Sequence, residues 1–539
     1  MQISFSFRRL ALWLLPVMAG PMVLGQSIQV QTIHGTIEGT LEKSGVHSFK
    51  GIPYAAPPVG ELRWKAPQPA LNWTGVRKAD HFGPRAMQPP IYSDMVFRSD
   101  GMSEDCLYLN VWVPGNSAAG NSGAAGGTST AGGSKGLPVL VYFYGGGFMA
   151  GDGSEPRYDG ESMATKGIIS LTVNYRLGLF GLFAHPELTQ ESPNHASGNY
   201  GLMDQAAALQ WVQDNIAAFG GDPKRVTIAG ESAGSSSVSA LMATPLTKGL
   251  FAGAIGESGS VLGTNPPTSL SKAEQTGVDF AKAAGANSLA DLRAMPADQL
   301  MAAATKAGTF HFGIIFDGYF FPKAPLEIFS AHEQACVPLL LGWNSEEGNY
   351  KSITGGGDAT VANYEAGVRK LYAEDADTIL RLYHAAGDAD VKLVGNALAS
   401  DRFIGFSTWR WAMLQAVGCG QPVYRYFYGQ PRPATVVGGP AAEGASHSAE
   451  IEYAMGNLPG NKVYAWTKED YKVSTILQGY FLNFVKKGDP NGPGLPHWVA
   501  ANAGKLTFVQ HIGVKTRTEP AEHEDRYWYI DGKTRKSPN

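Results

Sequence analysis

The stretch Val226-Thr227-Ile228-Ala229-Gly230-Glu231-Ser232-Ala233-Gly234 decides the fold. Its first residues favour a strand and the residues after it favour a helix, so it predicts a strand, a sharp turn and a helix, with Ser232 at the tip. Gly230 and Gly234 give the backbone room to turn closely around this serine. We therefore expect the Ser232 hydroxyl to stand clear of the sheet, and the amide of Ala233 to face an oxyanion formed beside it.

Composition and charge narrow the class of protein. The 539 residues are 44% hydrophobic and 17% charged, which is ordinary for a globular chain. The formal net charge of −4 gives no support for binding nucleic acid. Length alone suggests about two to four domains, but the candidate catalytic residues spread widely, so we expect residues 26–539 to form one catalytic domain. No spacing of Cys or His residues indicates a metal site, and we expect no cofactor.

Residues 1–25 are typical of a secretory signal. Arg8 and Arg9 precede a mostly apolar run over residues 10–24, which Pro and Gly residues interrupt and which is short for a membrane span. We expect a secreted or periplasmic protein with no stable membrane span, whose mature chain begins near Gln26. The alternative is an N-terminal membrane anchor. The sequence does not indicate an oligomeric state.

The three cysteines, Cys106, Cys336 and Cys419, cannot all pair within one chain. We expect buried free thiols that behave as small apolar side chains. The alternative is a bridge between Cys336 and Cys419, since each comes just before an apolar, strand-like run.

Apolar runs that predict buried strands alternate with helical stretches along the chain. Besides the strand before Ser232, these runs are 107–113, 137–144, 168–175, 254–256, 339–342 and 423–428. The alternation favours a mainly parallel central sheet with helices on both faces. Residues 202–219 predict an amphipathic helix, because apolar residues recur at steps of three and four.

Four further segments are hairpins, loops or insertions in this pattern. Residues 27–40 alternate and predict an exposed antiparallel hairpin. Residues 115–136 are almost wholly Gly, Ala, Ser, Asn and Thr, which predicts a flexible surface loop. The helix-rich stretches 266–334 and 350–418 predict insertions that form a lid or pocket wall.

A serine nucleophile needs a base within hydrogen-bond reach, and the base needs a carboxylate that fixes its tautomer. In α/β-hydrolases the acid and then the histidine follow the serine along the chain. The loop after the 339–342 run contains Glu346 and Glu347, which the residues alone do not separate. Asp317 and Asp401 are weaker candidates.

The candidate base is His447, in the loop beyond the last core strand at 423–428. Donors for the oxyanion must already be in place, and Gly145-Gly146-Gly147 after the 137–144 strand can supply consecutive amides. Several aromatic residues are either core residues or the lining of an apolar substrate pocket: Tyr92, Phe97, Phe310, Phe312, Phe316, Trp409 and Trp411.

Longer motifs resemble those of the type-B carboxylesterases, the family of cholinesterases, liver carboxylesterases and bacterial para-nitrobenzyl esterases. Residues 219–223 with 226–234 match the serine signature of this family, and residues 104–111 match its second signature. The resemblance covers nearly the whole mature chain. It implies an α/β-hydrolase fold and a serine esterase.

The family pattern also implies individual roles. Its acid directly precedes a glycine, which selects Glu347 over Glu346, and its histidine precedes a spaced Glu-Ile pair, which selects His447. Glu231 and Ser260 fall at supporting positions. Met87 stands where many secreted relatives have the cysteine that pairs with Cys106, so this cysteine is expected to be unpaired. The implied triad is Ser232, Glu347 and His447, and the implied oxyanion donors are the amides of Gly146, Gly147 and Ala233.

The sequence therefore predicts a carboxylesterase that acts through an acyl-enzyme on small to medium, apolar or aromatic esters. Its expected partner is a small-molecule ester. The same triad also serves amidases and specialised hydroxycinnamate or polyester esterases, which the residues do not exclude. A non-catalytic adhesion module is a further alternative, although all three triad positions are filled.

Overall fold

The strands and helices come from a computed structural model that describes residues 28–115, 136–307, 311–501 and 508–536. The strands are β1 (Gln29–Thr32), β2 (Gly35–Glu38), β3 (Thr40–Leu41), β4 (His47–Pro53), β5 (Val76–Lys78), β6 (Arg85–Ala86), β7 (Met102–Ser103), β8 (Tyr108–Val113), β9 (Leu137–Phe143), β10 (Ile169–Val173), β11 (Gly221–Glu231), β12 (Gly253–Glu257), β13 (Thr268–Ser269), β14 (Ile315–Phe316), β15 (Leu339–Asn344), β16 (Val423–Tyr428), β17 (Phe508–Ile512) and β18 (Arg517–Pro520). The α-helices are α1 (Glu161–Thr165), α2 (Gly178–Leu182), α3 (Pro186–Glu191), α4 (Tyr200–Asn215), α5 (Ala233–Ala243), α6 (Leu270–Ala283), α7 (Leu289–Ala294), α8 (Ala297–Ala307), α9 (Pro325–Ser330), α10 (Lys351–Thr354), α11 (Val361–Tyr372), α12 (Ala376–Leu382), α13 (Asp388–Ser400), α14 (Phe406–Gly418), α15 (Ile451–Met455), α16 (Lys468–Lys487) and α17 (Glu524–Lys536).

An eleven-stranded sheet organises the described residues, in the order β18-β17-β16-β15-β12-β11-β9-β10-β8-β4-β3. The strands from β17 to β10 in this order are parallel, and antiparallel strands complete both edges. The central strands are buried almost throughout, because helices cover both faces of a parallel sheet. The mainly parallel α/β architecture predicted from the alternating runs is confirmed, and so is the β1–β2 hairpin.

Helix α4 is amphipathic, as the sequence predicts: most of its side chains are buried, and the exposed Gln210 and Asp214 lie on one face. It packs against β11 and is covered by α2 and α5. Its polar residues find partners inside the protein: Asp204 accepts both hydrogen bonds of the Arg176 guanidinium, at 2.7 and 2.8 Å, and Gln205 donates to Ser237. Polar side chains on the buried face of α4 are therefore paired, while Gln210 and Asp214 on its other face meet solvent.

The expectation of three free thiols is wrong for two of them. Cys336 and Cys419 form a disulfide across 83 residues of sequence. They lie just before β15 and β16, which are parallel neighbours, so the residues that enter the two strands meet at the same edge of the sheet. Cys106 is buried and free, as expected.

The two helical insertions have different surroundings. Helices α6 to α9 pack against the main core, whereas the helices from α10 to α13 also enclose a small core of their own around Tyr364, Val368 and Tyr383. Within the described ranges, no helix has the length and apolar character that a membrane crossing needs. The predicted signal at 1–25 and nearly all of the predicted loop at 115–136 lie outside the described residues.

Candidate active site

The turn between β11 and α5 has the sharp geometry that its glycines predict. Ser232 has a φ of 58° and a ψ of −118°, a strained conformation for a residue with a side chain. A Cβ on Gly230 would lie 2.5 Å from the carbonyl carbon of Gly234, and a Cβ on Gly234 would lie 2.0 Å from the carbonyl oxygen of Phe143. Both positions therefore require glycine, and the close packing holds Ser232 at the tip.

Ser232, His447 and Glu347 form one continuous chain of hydrogen bonds. His447 Nε2 lies 2.9 Å from Ser232 Oγ, and His447 Nδ1 lies 2.6 Å from Glu347 Oε2. The three residues follow β11, β16 and β15, and the carboxyl ends of parallel strands share one edge of the sheet. The two downstream loops are also joined directly, because the amide of Glu346 donates to the carbonyl of Ala445 at 2.8 Å.

The Glu347 carboxylate is fixed by two donors besides His447. Ser258 Oγ donates to Glu347 Oε1 at 2.5 Å, and the amide of Asn344 donates to the same oxygen at 2.6 Å. The Asn344 side chain in turn donates to Glu450, which is fully buried. Sequence reasoning named Ser260 as a supporting residue, but Ser260 donates to the carbonyl of Ser407, so the serine that supports Glu347 is Ser258.

The local sequence after β12 explains why the wrong serine was predicted. Ser258 and Ser260 differ by two positions in Glu257-Ser258-Gly259-Ser260, and neither position carries a distinctive pattern. Ser258 has a φ of 57°, which turns its side chain toward Glu347. Asn344, the last residue of β15, and Glu450 were not predicted either. The Glu-Ile pair that followed the histidine was the only signal that could have drawn attention to Glu450.

Three more carboxyl groups are buried behind the hydrogen-bonded chain. Burial raises the pKa of Glu231 to about 8 and that of Glu450 to about 7. Burial also raises the pKa of Glu257 well above its ordinary value; Tyr142 donates to one of its oxygens at 2.9 Å, while the other has no partner among the described residues. Burial alone would lower the pKa of His447, but the neighbouring carboxylates, Glu231 first, outweigh burial and raise it.

The glycines after β9 lie beside the nucleophile. A Cβ on Gly145 would lie 3.0 Å from the Cβ of Ser232. Gly146 and Gly147 have φ values of 112° and 65°, and their amides donate no hydrogen bond to any residue that the structure describes. The amide of Ala233 begins helix α5 directly after Ser232. These three amides are therefore available to donate hydrogen bonds to a negatively charged oxygen that develops next to the serine.

Aromatic and apolar side chains cover the glycine turn. The Tyr92 hydroxyl lies 3.2 Å from the position that a Cβ on Gly147 would occupy. A cavity of about 280 Å³ adjoins Met149, just after the turn, and its other apolar lining includes Met87, Leu177, Phe180, Met301 and Phe312. Of the seven aromatic residues that the sequence left as either core or pocket lining, Trp409 and Trp411 are core residues. Phe310 lies outside the described residues.

The weaker acid candidates lie in other hydrogen-bond networks. Asp317 accepts hydrogen bonds from Asn199 and from backbone amides. Asp401 accepts hydrogen bonds from two tyrosine hydroxyls. The Glu346 side chain packs against Gly444 and has no hydrogen bond to His447 among the described residues. Within those residues, no group of three or more His, Cys, Asp and Glu side chains has the arrangement of a metal site.

The strand order and the contacts at the turn are those of an α/β-hydrolase. The profile of the carboxylesterase family matches residues 26–528, so the chain belongs to the carboxylesterase family and is a carboxylic-ester hydrolase. The family resemblance in the sequence is thereby confirmed.

Individual relatives agree with this assignment. The chain is 34% identical to the fumonisin B1 esterase of Sphingopyxis macrogoltabida, over 89% of this chain and 86% of that protein. It is 35% identical to the para-nitrobenzyl esterase of Bacillus subtilis (strain 168), over 86% of this chain and 90% of that protein. A solved structure of a PNB esterase superposes with a TM-score of 0.77 at 32% identity, covering 93% of this chain and 99% of that one.

Proposed function

We propose that the protein cleaves small to medium, apolar or aromatic carboxylic esters through an acyl-enzyme on Ser232. The observation that carries this proposal is the unbroken chain of hydrogen bonds from Ser232 Oγ through His447 to Glu347. His447 takes the proton of Ser232 as the hydroxyl attacks the ester carbonyl. Glu347 keeps Nδ1 protonated and stabilises the imidazolium that forms. His447 then gives its proton to the departing alcohol, and water releases the acid.

The tetrahedral intermediate carries a negative oxygen that needs donors already in place. The amides of Gly146, Gly147 and Ala233 serve this purpose, since Ala233 directly follows Ser232 and the turn that contains the two glycines approaches Ser232 at Gly145. Their positions are fixed by the backbone and need no rearrangement during the reaction. Loss of one such donor typically lowers turnover about 10²–10³-fold.

The apolar lining beside the glycine turn supports the proposed substrate class. The cavity next to Met149 has room for a hydrophobic acyl or alcohol group, and methionine side chains adapt to irregular shapes. The relatives are named for a para-nitrobenzyl ester and for fumonisin B1, and we extend to this chain only the cleavage of a carboxylic ester.

Labelling and substitution test the proposed nucleophile. A fluorophosphonate should label the wild-type protein and fail to label Ser232→Ala, whose turnover should fall on the order of 10⁶-fold, as in other serine hydrolases. A loss under about tenfold would exclude Ser232 as nucleophile.

The neighbouring glutamates supply a matched pair for the acid. Glu347→Gln should abolish most activity because it removes the carboxylate that holds His447. Glu346→Gln makes the same chemical change one residue away, where the side chain makes no hydrogen bond to His447 among the described residues, and should retain nearly all activity. Comparable losses in the two variants would contradict the assignment of Glu347.

We also propose that residues 1–25 direct export and that residues 26–539 form one catalytic domain. The disulfide between Cys336 and Cys419 supports export, since disulfides persist mainly in oxidising compartments. Mass spectrometry of the secreted protein tests this proposal. A secreted chain that retains residues 1–25 would refute it.

A further inference from the structure

Phe403 is an exposed aromatic residue next to the candidate base. Its ring centroid lies 5.0 Å from that of the His447 imidazole, and the two ring planes meet at 69°. Phe403 is 54% exposed, although burial of a large apolar side chain is favourable. The His447 side chain is itself 27% exposed. The two rings therefore share an open surface at the site where a substrate must bind.

A π-helical turn, Asp401–Gly405, carries Phe403. Such turns are rare and are found frequently at functional sites. The buried carboxylate of Asp401 accepts hydrogen bonds from the hydroxyls of Tyr383, at 2.7 Å, and Tyr527, at 2.8 Å. Tyr527 belongs to the last helix, α17, so the turn is held from two separate parts of the chain. These hydrogen bonds fix the backbone turn from which the Phe403 side chain extends.

The same turn also borders the segment next to the nucleophile. The Cδ1 atom of Ile404 lies 3.4 Å from the position that a Cβ on Gly259 would occupy, and that position is 2.9 Å from the carbonyl oxygen of Ser232. The amide of Gly259 donates to Thr408 Oγ1, just beyond the turn, at 2.9 Å. The turn therefore forms a wall that reaches from the nucleophile to the base.

We propose that Phe403 determines specificity by contacting the alcohol portion of the ester and favouring aromatic alcohols. This inference rests on the proposed function. During acylation His447 gives its proton to the alcohol oxygen, which must lie within hydrogen-bond reach of Nε2. The group attached to that oxygen then extends beside the imidazole, where the exposed ring of Phe403 lies. Aromatic groups gain from edge-to-face or offset contacts at such distances.

Three esters separate the possible contacts of Phe403. Benzyl acetate carries its ring on the alcohol, ethyl benzoate carries it on the acyl group, and ethyl acetate has no ring. In Phe403→Ala we expect kcat/KM for benzyl acetate to fall roughly five- to tenfold, the size of one aromatic contact. The values for the two ethyl esters should change by less than about twofold, and the pH midpoint of kcat/KM should stay the same.

Two further variants complete the test. Phe403→Leu keeps an apolar side chain without the ring, and should also lower kcat/KM for benzyl acetate selectively; it decides the question if the alanine variant does not fold. Phe508→Ala is the matched control, because Phe508 is a partly exposed phenylalanine at the distant strand β17. It should leave all three esters unaffected.

Any one of three other kinetic results would contradict the proposed role of Phe403. Equal losses with all three esters, together with a shifted pH midpoint, would mean that Phe403 acts only by positioning His447. A selective loss with ethyl benzoate would place the ring on the acyl side. Unchanged kinetics would show that Phe403 does not contact the substrate. Fluorophosphonate labelling of Ser232, measured first, reports on the proposed function separately: labelled protein with no selective loss would refute only the role of Phe403.

Discussion

Replacing Glu231 by glutamine should allow the enzyme to work at lower pH. Glu231 Oε1 lies 3.3 Å from His447 Nε2. Burial alone would lower the pKa of His447, but the carboxylates of Glu231 and Glu347 outweigh it and raise that pKa. His447 must be neutral to accept the proton of Ser232, so kcat/KM rises as the pH increases through the pKa of His447. Glu231→Gln removes one negative charge and should lower this pKa.

The size of the shift follows from the short distance. Two unit charges about 4 Å apart interact by about 4 kcal/mol at an effective dielectric constant of about 20, which corresponds to about three pKa units. The full value does not apply, because the pKa of Glu231 is itself raised to about 8. Much of the favourable interaction energy is therefore offset by the cost of ionising Glu231 when His447 becomes charged. We expect the acid limb of the profile to move down by about one pH unit.

The assay is kcat/KM for a neutral ester between about pH 5 and about pH 11, a range that covers both the ordinary pKa of histidine and the raised pKa of His447, about 10. Glu365→Gln is the matched control, since Glu365 is exposed on α11, away from the site. The control profile should overlay that of the wild type. A midpoint for Glu231→Gln that stays in place or moves to higher pH would refute the electrostatic reasoning, even if the maximum rate fell.

Three other substitutions test the support around the site and the fold. Ser258→Ala removes a 2.5 Å hydrogen bond to Glu347 and should lower kcat about 10- to 100-fold, the cost of about 1.5–3 kcal/mol for a bond to a charged group; steady-state kinetics showing less than a threefold loss, about 0.65 kcal/mol, would contradict this. Cys336→Ser should lower the free energy of unfolding by about 2–4 kcal/mol, measured by urea denaturation without reductant; an unchanged midpoint would mean that the disulfide does not form. Burial raises the pKa of Glu257, so the contribution of the protonated carboxyl group to stability is full below about pH 4 and is lost as the pH rises toward the folded-state pKa. Glu257→Gln should therefore be more stable than the wild type at pH 8 but not at pH 4. Equal unfolding midpoints of the two proteins at pH 8 would refute this.

The sequence predicted the parts of the site that depend on local backbone geometry. Gly230 and Gly234 are required by close approaches within one turn, so a short motif was enough to place Ser232 at its tip. The alternation of apolar runs was likewise enough for a mainly parallel sheet. The choice of Glu347 over Glu346 came only from the family resemblance, because two adjacent loop residues look alike without their surroundings.

The errors concern contacts between distant segments. The disulfide between Cys336 and Cys419 depends on β15 and β16 being neighbours in register, and the sequence states neither their order in the sheet nor their alignment. Ser258 supports Glu347 across 89 residues of sequence. Motifs along the chain do not reveal such a pair, because its two residues lie far apart in sequence.

The acid of this site is distinguished from its neighbours by the number of its donors. Glu231, Glu257, Glu347 and Glu450 are all buried, and His447 interacts with all of these except Glu257. Glu347 receives hydrogen bonds from His447, Ser258 and the amide of Asn344, which fix its carboxylate in one position.

Glu257 accepts one hydrogen bond, from the hydroxyl of Tyr142, and its other oxygen has no partner among the described residues. Burial raises its pKa, and burial also raises the pKa of Glu231 and of Glu450, so each of these three carboxyl groups gives up its proton less readily than an exposed glutamate. Glu347 is the one of the four that is hydrogen-bonded to Nδ1, where a carboxylate stabilises the imidazolium. Asn344 and Ser258 therefore matter because they hold one of four buried glutamates in place as the acid.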